Sequence, residues 1–307
     1  MTTAYISHPD CLKHDMGSQH PECPARMTAI EGQLSKSGVL KKLIRHEATK
    51  ASKEQLARVH SKDYIERIIS TSPRSGLVHL DGDTAMNTHS LDAAFFAAGA
   101  GINAVDLVMT DAVDNAFCNV RPPGHHAARA NSAGFCIFNN IAVAAAHALE
   151  FYGLKHVAIA DFDVHHGNGT EAIFHDDPRV MLCSTFRHPY YPYSGADSSN
   201  DHIINVPLAA GSAGDEFRAA VIEQWFPALE RFKPELLLIS AGFDAHAEDD
   251  MGGLSLIEDD YVWVTENLKA VAQRYARGRI VSMLEGGYAL NALARSVAAH
   301  IQCLSAP

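Results

Sequence analysis

No two of the six cysteines (Cys11, Cys23, Cys118, Cys136, Cys183 and Cys303) form a Cys-x-x-Cys pair. That removes zinc-ribbon and thioredoxin-type readings and leaves reduced thiols, mostly in a core. A looser set, Cys11, His14, His20 and Cys23, has metal-like spacing, but a structured N-terminal loop with buried thiols is the plainer expectation. Positive charge is also short: 25 Lys and Arg stand against 36 Asp and Glu, for a net charge of −11. Phosphate backbones bind to basic surfaces, so no nucleic-acid partner is expected, and a cationic substrate suits this balance better. Ser/Gly-rich linkers, Pro-rich runs, charge blocks and fixed-period repeats are missing, so one domain over residues 1–307 is expected. The opening "MTTAYISHPD" has no basic stretch followed by a long apolar one, so no signal peptide is expected. The longest apolar helix candidate, around "AAFFAAGAGINAV", is interrupted by Gly and Asn and reads as too short to span a bilayer. A cytoplasmic protein without a membrane partner is the expectation.

What is present is an alternation of short apolar runs with helical patterns. Strands are expected at 3–7, 115–120, 156–162, 179–185, 235–242 and 279–284. Helices are expected over 25–37, 53–70, 90–109, 140–152, 169–176, 214–231, 258–276 and 289–303. Such alternation predicts an α/β fold with a mostly parallel sheet between helical layers. Four loops after strands are rich in Gly and polar residues: "RPPGHHAARANSAGFCIFNN", "DVHHGNG", "FDAHAEDDMGG" and "EGGYAL". In open α/β sheets, sites form beyond the carboxyl ends of the strands, so these loops should converge on one cleft.

The stretch "ADFDVHHGNGT" puts Asp161, Asp163, His165 and His166 directly after an apolar run. Buried charges are costly unless paired or bound to a metal. In an extended segment Asp163 and His165 point the same way, with Asp161 on that side, and can reach one ion together. Asp244, at the end of "ELLLISAGF", is the best third ligand. One imidazole and two carboxylates leave an open position, as catalytic zinc sites do. Two anionic ligands weaken the ion as a Lewis acid, so the site needs help. His125 and His126 of "GHH" are suited to general base and acid work near neutral pH. Tyr288 of "EGGY" can donate to a developing oxyanion, with Gly286 and Gly287 allowing close backbone approach. Asp161 and Asn168 can orient His125 and His126 respectively, the carboxylate raising basicity and the amide only orienting. Asp161 with Ser184 and nearby carbonyls could also hold a monovalent cation.

The motifs "RPPGHHA", "DFDVHHGNGT", "SAGFDAH" and "LEGGY", in this order, resemble the zinc-dependent histone deacetylase family, which includes bacterial amidohydrolases and acetylpolyamine amidohydrolases. The resemblance runs over nearly the whole chain. It implies a single-domain arginase/deacetylase α/β fold, zinc on Asp163, His165 and Asp244, a His125/His126 pair and an oxyanion-stabilising Tyr288. Asn168 resembles the class II branch. Phe135 and Tyr191 resemble the aromatic walls of the acyl tunnel, Gly134 a carbonyl at its mouth, and Asp83 the rim carboxylate that holds the substrate backbone. Arg26 resembles an internal-channel arginine. The resemblance further implies a structural potassium ion on Asp161, Asp163, His165 and Ser184. Phe186 departs from the family pattern, where His is usual. Met251 stands where many members carry Leu. The acids before it, Glu248, Asp249 and Asp250, do not match a polyamine gatekeeper residue for residue, though an acidic rim would suit a polyamine.

The expected activity is therefore zinc-dependent hydrolysis of N-acetyl-lysine or a similar acyl-alkylamine through a metal-activated water. An acetylpolyamine amidohydrolase is the alternative, and a catalytically silent binding module is a weaker one. The arginase branch would need a second metal, for which "DAH" at 244–246 is the only hint; His246 is expected to be a loop residue. A homo-oligomer is compatible with the sequence.

Overall fold

The computed structural model describes residues 1–306. Eight strands form one sheet: β1 (Thr3–Ser7), β2 (Ile44–Glu47), β3 (Asn115–Cys118), β4 (Val157–Asp161), β5 (Val180–Arg187), β6 (Ile203–Leu208), β7 (Leu236–Ala241) and β8 (Ile280–Leu284). Their order is β2-β1-β3-β8-β7-β4-β5-β6, and every pairing is parallel. Successive side chains feed two cores: Val157 and Ile159 of β4 pack on one face, Ala158 and Ala160 on the other. One face is covered by α2 (Ser90–Met109) and α3 (Asn140–Tyr152), the other by α1 (Ala25–Lys36), α5 (Glu258–Tyr275) and α6 (Leu290–Ser305); a short α4 (Asn168–Phe174) follows β4. Strands buried on both faces read as continuous apolar runs, which is why the inner strands were visible in the sequence.

The four strands that precede the polar loops, β3, β8, β7 and β4, are the four central neighbours. Parallel pairing puts their carboxyl ends on one edge of the sheet, so the loops meet there by topology alone.

Several sequence expectations change. Both edge strands, β2 and β6, escaped notice: β2 is mostly exposed and carries Arg45, His46 and Glu47, and β6, though half-buried, is interrupted by Asn205 and Pro207. The helix expected over 53–70 is two, Lys53–Leu56 and Lys62–Thr71, because Ser61 starts the second by accepting the Tyr64 N–H. The helix expected over 214–231 contains a π turn at Val221–Trp225, one residue ahead of the Phe226-Pro227 step. The apolar helix judged too short is an unbroken 20-residue helix, α2, long and apolar enough to cross a membrane; it is packed within this fold, with 61% of its most apolar window buried.

The glycines of α2 are places of close approach rather than breaks. A Cβ on Gly99 would lie 1.8 Å from the Thr49 carbonyl oxygen, in the segment whose Ala51 N–H bonds the Phe95 carbonyl. Backbone cannot yield there as a side-chain tip can, so Gly99→Ala should destabilise the protein by about 3 kcal/mol. Chemical denaturation measures this, and an unchanged midpoint would contradict the packing described.

Candidate active site

Two consecutive side-chain turns shape the chain after β4. Asp161 Oδ1 accepts the Asp163 N–H at 3.1 Å, and Asp163 Oδ1 accepts the His165 N–H at 2.9 Å. Asp residues favour this local bonding. The strand stops at Asp161, so a turn, and not an extended i/i+2 pair, brings Asp163 and His165 together. Asp161 does not join them. Its Oδ2 faces His125 Nδ1 at 2.9 Å.

His165 Nδ1 lies 3.0 Å from Asp163 Oδ1 and 3.2 Å from Asp244 Oδ2, and Asp163, His165 and Asp244 are all buried. Among the described residues they are the one group of three or more such side chains that could hold a metal ion. Donors about 2 Å from a small tetrahedral ion are separated by about 3.3 Å, which this spacing approaches. Asp244 Oδ2 is buried without a hydrogen bond. Burial and the Asp163 charge push its pKa up to about 6. An unsatisfied anionic oxygen beside a second carboxylate is stabilised by a divalent cation. Backbone makes room for both acids: a Cβ on Gly242 would fall 2.1 Å from Asp163 Oδ2, and one on Gly286 2.0 Å from Asp244 Oδ2. Gly286 also donates its N–H to Asp163 Oδ2 at 2.8 Å.

The two histidines differ in surroundings. His126 Nδ1 is 2.7 Å from Asn168 Oδ1. Burial opposes charge on His125, yet Asp161, Asp163 and Glu285 raise its pKa well above the usual imidazole range. Burial, His125 and His165 together hold His126 well below it. Asp161 thus meets the carboxylate partner expected for His125, and Asn168 the amide expected for His126.

A narrow cavity of about 280 Å³ leads to this group, lined by Asp83, His126, Gly134, Phe135, His165, Tyr190, Tyr191, Met251 and Tyr288. The Phe135 ring meets Tyr288 edge-on at 5.9 Å, and Tyr191 meets His126 at 5.2 Å. Gly134 has φ +53° and fits against His126, whose Cδ2 would lie 2.3 Å from an added Cβ. Tyr190, unnoticed in the sequence beside Tyr191, stacks on His165 at 5.6 Å and donates its hydroxyl to the Met251 carbonyl.

Beneath Tyr288 lies a fully buried ionic network. Arg26 donates to the carbonyls of Gly287 and Glu285 and to Glu22, and its guanidinium sits 5.1 Å from the Tyr288 ring centre. Arg121 grips Glu22 with two donors. Burial, and after it the Asp244 charge, hold the Tyr288 hydroxyl well above its ordinary pKa, so it stays a donor. Glu285 was also missed. It accepts the N–H groups of Gly124 and His125 and fixes the histidine pair, while burial pushes its own carboxyl up to about 7. Nothing in the local pattern "LEGGY" tells which backbone amides that acid will meet.

Other expectations are placed as follows. Cys11, His14, His20 and Cys23 form no cluster: Cys11 faces the Ala93 carbonyl, His14 faces Ser90 and Glu22, and His20 faces Glu22 and the Asp83 carbonyl. His246 accepts the Glu248 N–H and faces Glu258, away from any second metal group. Phe186 packs against His166. Ser184 is buried with an unpartnered hydroxyl, paired in register with Asp161 on the neighbouring strand. The acidic rim is not one: Asp249 is buried, Glu248 pairs with Arg295, and only Asp250 is an exposed, unpaired acid there.

Residues 20–304 match the family model "Histone deacetylase domain". The chain is 34% identical to the "Probable deacetylase" of Archaeoglobus fulgidus, over 94% of this chain and 82% of that one. It is 38% identical to the "Histone deacetylase-like amidohydrolase" of Pseudomonas aeruginosa, over 88% and 72%. Identity to the human "Polyamine deacetylase HDAC10" is 37%, over 99% of this chain and 48% of that one. The solved structure "Crystal Structure of HDA15 HD domain" superposes with a TM-score of 0.94 at 34% identity, covering 99% of this chain and 88% of that one. The chain belongs to the histone deacetylase family, a zinc-dependent family of hydrolases, and is a deacetylase.

Proposed function

We propose that the protein removes the acetyl group from the side-chain amine of acetylated lysine, releasing acetate and a free amine. The observation that carries this reading is the tunnel itself: a narrow aromatic passage with Asp83 and Met251 among its lining and His126, His165 and Tyr288 in the same cavity. Phe135 and Tyr191 flank an unbranched methylene chain, and Asp83 accepts a backbone N–H of the substrate. Asp163, His165 and Asp244 would hold zinc, which would supply Lewis-acid chemistry for the carbonyl and the attacking water. His126, kept neutral, takes the proton of the attacking water, with Asn168 fixing its tautomer. Tyr288 donates a hydrogen bond to the carbonyl oxygen as negative charge builds there. The proton on His126 then passes to the leaving nitrogen as the C–N bond breaks. His125, paired with Asp161, remains cationic and stabilises the developing anion.

A structural potassium ion near Asp161, Asp163, His165 and Ser184 is part of this reading; the unpartnered Ser184 hydroxyl supports it. The cytoplasm is the proposed compartment, supported by six free thiols. Acetylated polyamines are the second substrate class, favoured by the net charge of −11 and by the likeness to a polyamine deacetylase. Apolar Met251 in the lining, with Asp249 buried on backbone amides and Glu248 paired with Arg295, favours lysine.

Tyr288→Phe should lower kcat by about 100-fold or more, as loss of one oxyanion donor does, with KM little changed. Turnover of an acetyl-lysine peptide, N-acetylputrescine and acetylspermidine by the wild-type enzyme ranks the substrates; a strong polyamine preference would overturn the lysine assignment. Asp161→Asn removes the carboxylate that raises the His125 pKa, so His125 should lose its proton at lower pH. The alkaline limb of the kcat profile should then move to lower pH, and an unmoved limb would contradict the cationic role of His125.

A further inference from the structure

Asp249 lies in the loop that carries Met251 and is only 5% exposed. Its carboxylate makes three backbone contacts: Oδ2 accepts the N–H of Tyr288 at 2.6 Å and of Ala289 at 3.0 Å, and Oδ1 accepts the N–H of Met251 at 3.0 Å. Ala289 is the N-cap residue of the 16-residue helix α6, and its methyl side chain cannot cap it. A carboxylate from another loop instead holds the two amides just ahead of the helix, at the positive end of its dipole. Tyr288 stands between this clamp and Gly287, whose φ of +122° is one that only glycine adopts readily. Its loop is pinned at Gly286 by Asp163, at Gly287 by Arg26 and at Tyr288 itself by Asp249.

We propose that Asp249 is a positioning residue for the reaction, aiming the Tyr288 hydroxyl at the scissile carbonyl by clamping the Tyr288 and Ala289 amides. The proposal rests on Tyr288 being the oxyanion donor. It assigns Asp249 an effect on rate that runs through Tyr288, with metal and substrate held by other residues. The same carboxylate ties Met251 in the tunnel lining to Tyr288 at the reacting centre.

A double-mutant cycle tests this on the zinc-loaded enzyme, using a trifluoroacetyl-lysine peptide whose electron-poor carbonyl keeps slow variants measurable. Asp249→Asn should lower kcat about 10-fold or more with KM within about 2-fold, and should cost less than about 2-fold when added to Tyr288→Phe. Hydrogen exchange of the Tyr288 and Ala289 amides should quicken in Asp249→Asn while zinc content stays unchanged. Equal losses in both backgrounds, or unchanged kcat and exchange, would overturn the proposal. A Tyr288→Phe enzyme with wild-type turnover would instead sink the oxyanion role, which separates the two failures. Should Asp249→Asn not fold, Asp249→Glu keeps the charge but moves it by one methylene, and the same cycle decides.

Discussion

Two buried carboxylates and one imidazole, within about hydrogen-bond distance of each other, are costly in a protein interior until protons or a metal ion balance their charge. Much else in the chain follows from that constraint. Parallel pairing of β3, β8, β7 and β4 brings their loops to one edge, where Asp163, His165 and Asp244 meet. Gly242 and Gly286 stand where any side chain would strike the two acids. Around this centre other buried acids find partners: Asp161 faces His125, Glu22 is shared by Arg26 and Arg121, and Glu285 accepts two backbone amides. The fold places anions at strand ends and then spends side-chain and backbone donors on each of them.

This arrangement also divides labour between two adjacent histidines. His125 and His126 share a backbone turn and lie 4.1 Å apart, yet a carboxylate supports one and an amide the other. Their charges are thereby driven apart, giving one neutral and one cationic group at the same pH. Tyr288 is kept protonated by the same buried surroundings that make a carbonyl's negative charge worth stabilising. Electrostatic preorganisation of this kind acts before substrate arrives.

The inner strands and the reacting groups were legible in the sequence because both are local patterns: apolar runs, followed by Asp, His and Gly within a few residues. Edge strands were not: β2 is mostly exposed and polar, and Asn205 and Pro207 interrupt the apolar pattern of β6. Helix α2 was expected at its observed bounds, 90–109, and only its apolar stretch was misjudged as broken and too short to span a bilayer, because its glycines look like breaks, whereas Gly99 is there to let the Thr49 backbone pass. Asp249 shows the deeper limit. As one of three consecutive acids it reads as solvated charge, and only the fold brings it to amides about 40 residues away. The same holds for Glu285 and the Gly124 and His125 amides. Sequence tells what a side chain can do, and tertiary structure decides which partner it meets.

The central claim is that Asp163, His165 and Asp244 together grip one divalent ion on which deacetylation depends. Elemental analysis of the purified protein and of Asp244→Ala, beside their turnover of an acetyl-lysine peptide, tests it most directly. The account predicts one zinc per chain in the wild type, with metal and activity lost together in the variant. Full hydrolysis by an Asp244→Ala protein without metal would contradict it.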